Sequence, residues 1–221
     1  MPTDARTTSR VRAADELKHA ALEQFASVGF AGTSLQHIAD EAGYAKSSVL
    51  YHYASKEALL EAAIEPAVAG FEDVLEAFLA GRGTGPGSTR RRELVDRVVD
   101  LLLEHREAVH VFLTQGQSLA GLPAIDRANV AVRRLAAAVC EDRESVDDQV
   151  RFGIAIGGAA FLLTAGRTFA DESTVPTDDE LRDALRRIIA EILTPAGSFA
   201  GTPAGTTAGT SPRTPAPTPS N

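Results

Sequence analysis

Cysteine is almost missing from this chain: Cys140 is the only one in 221 residues. A lone thiol excludes an intrachain disulfide and suits a reducing cytosol, with a buried structural role expected for it. Long apolar runs are missing as well. The most apolar stretch, Phe152–Gly166 between Arg151 and Arg167, has 15 residues. That is too short to span a bilayer and reads as a buried helix. No basic start leads into an apolar run and a cleavage site, so no secretory signal and no membrane partner are expected. Aromatic residues make up only 5%, and no stretch alternates like a strand. The chain therefore reads as all-α. Catalytic signatures are absent too: there is no Gly-rich phosphate loop, no Gly-x-Ser-x-Gly elbow and no His-Glu-x-x-His. No enzyme activity and no cofactor are expected. His105 and His110, five residues apart, fall on different faces of a helix and make no metal site.

Positive charge is scarce. The net charge is −8, and residues 1–60 hold six Lys/Arg against seven Asp/Glu, which leaves most of the negative charge to the remainder. An acidic chain is no general adsorbent of nucleic acid, so any such binding rests on a few placed contacts. All three lysines, Lys18, Lys46 and Lys56, lie in the first 56 residues; the other 19 cations are arginines.

Against this background one segment stands out, Thr33–Lys56, with the sequence TSLQHIADEAGYAKSSVLYHYASK. Thr33 with Gln36 forms the Thr-x-x-Gln version of a capping box. Leu35, Ile38, Ala39 and Ala42 follow at helical spacing. Gly43 ends that helix in a left-handed turn. Ala45–Tyr53 restarts as a helix with Val49 and Tyr53 facing back. Two short helices around a glycine turn make a helix-turn-helix, spanning 34–53, whose second helix enters the DNA major groove. Lys46, Ser47, Ser48, Leu50, Tyr51 and His52 are left on or near its outer surface. Lysine and serine can bond base edges; Tyr, His and Lys can bond phosphates. Upstream, Val11–Val28 reads as an amphipathic helix with Leu17, Ala21, Phe25 and Val28 on one face, stopped by Gly29. Downstream, Ser55 caps a further helix with Glu57 in its first turn. The same grammar also fits an ordinary helical hairpin inside a core.

The residues themselves resemble the N-terminal domain of the TetR family of bacterial transcriptional regulators. The pattern runs from Gly29 and Phe30 through Thr33, Ser34, Ile38, Ala39, Ala42, Gly43 and His52 to Ser55, Lys56, Glu57 and Leu59. Tyr44, Ala45, Leu50 and Tyr53 depart from it, and the missing cap at Ala45 could cost about 1 kcal/mol. The resemblance implies a flexible N-terminus (1–10), a DNA-binding domain (11–71) and a helical ligand-binding and dimerisation domain (72–194). It implies DNA contacts from Thr33, Ser34, Lys46, Ser47, Ser48, Tyr51, His52 and Lys56. The implied partners are a double-stranded, palindromic operator, a small apolar or amphipathic effector, and a second copy joined through the last two helices. The implied protein is a cytoplasmic repressor. A helical interaction protein, or an activator with altered or lost DNA binding, stays open beside it.

Behind the head the periodicity predicts helices at 56–80, 89–105, 107–116, 124–141, 146–170 and 178–193. Pro66 predicts a kink or break near 62–66. Thr177 with Glu180 predicts a second capping box. Gly153, Gly157 and Ala160, at near four-residue spacing, let another backbone come close. A ligand cavity is expected from Phe71, Val74, Phe78, Leu101, Leu102, Val109, Phe112, Leu113, Phe152, Ile156 and Phe161, with Gln115, Gln117 and Thr164 orienting the ligand; plain core packing is the alternative for these. The tail, 195–221, is Pro, Gly, Thr and Ala and reads as disordered.

Overall fold

The structure, a computed structural model, describes residues 3–81, 87–140, 146–169 and 176–193. The described residues form α-helices only. The head is α1 (Thr3–Ser27), α2 (Leu35–Glu41) and α3 (Lys46–His52). The connecting helix α4 (Lys56–Ala80) leads to α5 (Gly87–Glu104), α6 (Arg106–Gln115), α7 (Pro123–Cys140), α8 (Val146–Phe169) and α9 (Asp178–Ile192). The tail and the loop at 82–86 lie outside the described residues, as does the side chain of Cys140.

Helix α1 starts earlier than expected. Residues 3–27 contain neither Gly nor Pro, so nothing in them stops a helix before Ser27, and most of the segment expected to be a flexible N-terminus is helical. Leu17, Ala21 and Phe25 are fully buried, as their spacing requires. Val28 is not, being 56% exposed, because the helix has already ended at Ser27 and the next residue no longer follows its apolar face. The chain then turns at Gly29, with φ +89°.

Helix α4 carries Pro66 without a break. A proline removes one helical hydrogen bond and crowds the preceding turn, yet both flanks here are fixed to other elements. Leu59, Leu60, Ala63, Ile64 and Val68 are buried on one side. On the other, Arg127 of α7 bonds Glu65 before the proline and Glu72 after it. The two carboxylates hold the Arg127 guanidinium more firmly in its charged state, Glu72 most strongly. Pro66 itself is exposed.

Two apolar cores result. The first joins Leu17, Phe25, Ile38, Val49, Leu59 and Ile64 to Val111 of α6 and Ile125 of α7. The second joins Phe78, Val95, Val99, Leu135, Leu163 and Ile189 from α4, α5, α7, α8 and α9. Helix α9 begins with the expected reciprocal cap, Thr177 and Glu180 each bonding the other's backbone N–H. Asp96 and Asp100 of α5 pair with Arg186, and Asp100 also with Arg182, tying α9 down at its exposed side. Beside Gly153 and Gly157 of α8 the space is open: a Cβ at either would meet nothing within 4 Å. Among the described residues no backbone uses the space they leave.

Candidate nucleic-acid interface

The helix-turn-helix is held from behind. Val49 of α3 is fully buried, and Tyr53 donates its hydroxyl to the carbonyl of Ala14 in α1 at 3.1 Å. Burial is the main reason the Tyr53 phenol is raised above its ordinary value. Tyr44 donates to Glu16 of α1 at 2.5 Å, and Arg12 pairs with the same carboxylate. That shared carboxylate is held below its ordinary range, by Tyr44 first and then by Arg12. Gly43, at φ +72°, makes the left-handed turn between α2 and α3. Two tyrosines at positions flanking α3 thus dock it onto α1.

The outer face is what this docking leaves free. Lys46, Ser47, Leu50 and Tyr51 are exposed, and Ser48 and His52 are half-buried. Tyr51 is 70% exposed and Leu50 48%. Ala45 starts α3 with no side-chain cap, as its methyl requires.

Two of the sequence-derived contact residues are turned elsewhere. Thr33 is buried, and its hydroxyl donates to the carbonyl of Gly29 at 2.8 Å. It does not cap α2: Ser34 does, accepting from the His37 N–H at 3.2 Å. Thr33 lies one residue too early, so the expected capping box with Gln36 does not form. Gln36 instead bonds Asp40 along the helix. The Lys56 ammonium donates to the carbonyls of Phe30 at 2.6 Å and Thr33 at 2.8 Å, and sits 4.2 Å from the Phe30 ring centroid. It closes the α1–α2 turn from inside.

The body reaches into that turn as well. Gln115, the last residue of α6, donates to the carbonyl of Phe25 at 2.8 Å. Its amide oxygen accepts from the Phe30 N–H at 2.6 Å. One amide therefore satisfies an acceptor and a donor where α1 ends, 85 to 90 residues away in sequence. Gln115 was expected in the ligand cavity; the end of α6 carries it to the head instead. A glutamine at such a distance gives no local signal of this role.

The cavity lies among α4, α5, α6, α7 and α8 and has a volume of about 680 Å³. Phe71, Leu102, Val109, Phe112, Phe152 and Ile156 line it as the sequence suggests. Val74 and Phe78 are instead packed in the body core. Phe161 points outward at 55% exposure, and the side chain of Thr164 lies outside the described residues. Leu101 and Leu113 line it as expected too, while Ile64, Val68 and Gln149 belong to the wall without having been singled out. Among the described residues of the wall, Gln149 is the one polar side chain. It stands in VDDQV, a charged opening turn of α8 that reads as plain solvent-facing helix.

Comparison with known proteins follows the same division. Residues 17–63 match the model of "Bacterial regulatory proteins, tetR family". The HTH-type transcriptional regulator RutR of Escherichia coli (strain K12) is 41% identical over 61 residues, 28% of this chain and 26% of RutR. The matched segment thus spans only about a quarter of that relative. The fold continues much further. A TetR-family regulator from Bordetella parapertussis 12822 superposes over 86% of this chain and 98% of its own, with TM-score 0.62 and 18% identity. A TetR regulator family member from Streptomyces coelicolor A3 covers 81% and 91%, with TM-score 0.58 and 25% identity. Residues 17–63 thus match the N-terminal domain of the tetR family of bacterial regulatory proteins, and the described helices as a whole share the fold of TetR-family structures.

Proposed function

We propose that the chain is a one-component transcriptional repressor that binds a palindromic operator as a homodimer and leaves it when a small apolar or amphipathic ligand fills the cavity. The observation that carries this reading is the exposed face of α3, docked to α1 by Tyr44 and Tyr53 yet bare on the side a major groove would meet. Lys46, Ser47 and Ser48 supply base-edge contacts; Ser34, Tyr51 and His52 supply backbone contacts. Thr33 and Lys56 shape the turn that presents them. Residues 11–71 act as the reading head and 72–194 as the sensing and pairing body.

Self-association has its own support. Val150, Ile154, Phe161 and Leu162 of α8 and Ile188 of α9 are exposed apolar side chains, and Gly153 and Gly157 leave room beside them. A run of this kind on two adjacent helices fits an isologous contact with a second copy. The cavity wall, apolar except for Gln149 among the described residues, suits a ligand with an apolar body and at most one polar end. Because α6 lines the cavity through Val109 and Phe112 and grips the head through Gln115, a ligand that displaces α6 changes the head's support. It does so only by its difference in affinity between the two arrangements.

The test is selection of bound fragments from random-sequence duplexes, followed by footprinting and by competition with apolar small molecules. A two-fold symmetric footprint released by such a molecule is the expected result. A footprint without two-fold symmetry overturns the dimer, and an absence of selected sequences overturns the reading head.

A further inference from the structure

The cations of the head whose side chains are described are Arg10, Arg12, Lys18, Lys46 and Lys56. Three of them are already engaged: Arg12 with Glu16 at 2.9 Å, Lys18 with Asp15 at 2.8 Å, and Lys56 with two carbonyls. Among the described residues Arg10 and Lys46 pair with no carboxylate or carbonyl, and both stand at α3. Lys46 opens that helix. Arg10 reaches it from α1: its guanidinium carbon lies 5.4 Å from the centroid of the Tyr51 ring, in the last turn of α3. The same ring meets His52 edge-on, with centroids 5.3 Å apart at 85°. Arg10 is exposed and Tyr51 is 70% exposed.

A guanidinium placed over an aromatic ring is held by the ring's negative face, while its N–H edge stays free for a planar anion. Arginine with phosphate is the strong, two-pronged version of that contact. A seven-residue helix is about 10 Å long, so Lys46 and Arg10 bracket the short element that would lie in the groove. We propose that Arg10 is a further DNA-backbone contact of this head, stacked on Tyr51 and forming with the Tyr51 hydroxyl a single phosphate clamp. The proposal rests on the reading of α3 as the DNA-facing helix. It adds a contact from a helix that the sequence motif leaves out.

The experiment measures dissociation constants of the full chain at several salt concentrations, on a duplex recovered by selection and on an unrelated duplex. Arg10→Ala is expected to weaken both to a similar degree and to lower the salt slope by roughly 0.9, the share of one phosphate. Arg10→Lys keeps the charge, so it should keep the slope while losing part of the affinity. Tyr51→Phe keeps the stack and Tyr51→Leu removes it. Arg10→Ala should therefore cost less when combined with Tyr51→Leu than when combined with Tyr51→Phe. Arg10 is exposed, and an unchanged melting curve checks that each variant is folded. Salt-sensitive binding by the unsubstituted chain, with Arg10→Ala matching it in affinity and slope, overturns this proposal alone. So does a loss confined to the selected duplex, which would make Arg10 a base reader. Failure of the unsubstituted chain to bind either duplex overturns the DNA reading and this proposal together.

Discussion

The head and the body of this molecule solve opposite problems. The head is closed: its fixed polar side chains each serve a named backbone or side-chain partner, as Thr33, Tyr44, Tyr53 and Lys56 do. The body is left open, with a cavity of about 680 Å³ inside it and exposed apolar side chains along α8. A reading surface needs a rigid frame, because a contact misplaced by an ångström is lost. The sensing role proposed for the body needs space, and space is made by what is omitted from a core. The same chain thus places its packing precision at one end and its vacancies at the other.

The contrast can be broken most directly by truncating one phenylalanine in each region. Phe25→Ala in the closed core should cost about 3–5 kcal/mol, the range for a fully buried aromatic. Phe112→Ala in the cavity wall should cost clearly less, because its ring already borders empty space. Denaturant midpoints compare the two; equal losses would mean that the cavity wall is packed like the head. Next in size is Lys56→Ala. It strips a charged donor from two carbonyls and should destabilise the head by about 1.5–3 kcal/mol, while leaving the salt slope of DNA binding unchanged. A slope lowered by about one with normal stability would instead place the ammonium on a phosphate.

Gln115→Ala should follow, with a loss of about 1–3 kcal/mol from the two groups it leaves unmade. Amide exchange should report that loss at Phe25–Phe30 before it reports it in α9. Uniform acceleration would show that the head and body open as one. The smallest effect is a gain: Ala45→Ser restores the cap of α3 and should add about 1 kcal/mol of local stability. A pH series adds a directional check on the α1–α3 tether. The carboxyl of Glu16 is held below its ordinary value, so the stability it adds is complete above the ordinary carboxylate range. It is lost as pH falls through the lowered value. Glu16→Gln should flatten the acid limb of the melting temperature without changing its neutral value as strongly.

How much of this was legible in the sequence follows the same division. Apart from the start of α1, which lies eight residues before Val11, helix positions came within a few residues, because apolar spacing and caps such as Ser55 and Thr177 are local signals. The frame of the head was legible for Gly43 and Val49, which follow from local spacing, and for the inward turn of Tyr53, but not for its bond to Ala14, 39 residues away. Thr33 and Lys56 were read as surface contacts because threonine and lysine carry no mark of which way they turn. Their partners, the carbonyls of Gly29 and Phe30, are features of a turn's path and not of residue type. Pro66 was read as a kink or break, and the residues that hold both sides of it in an unbroken α4, Glu65, Glu72 and Arg127, meet only in the folded chain. In the cavity the aliphatic residues are interchangeable in pattern, so Phe71, Leu113 and Phe152 could be named while Ile64, Val68 and Gln149 could not.

The grip of Gln115 on the end of α1 has a consequence for how this molecule responds to its surroundings. An amide has no proton to gain or lose near neutral pH and no net charge for ions to screen. Two neutral bonds to main-chain atoms therefore keep their strength across ionic strength and mild acidity. Salt should act on DNA affinity through the phosphates and leave this joint between head and body as it is. On the reading proposed above, an apolar ligand in the cavity would act in the reverse way, reaching α6 without altering any charge. Ionic strength and effector are then separable inputs, and a titration of one at fixed values of the other should give parallel curves.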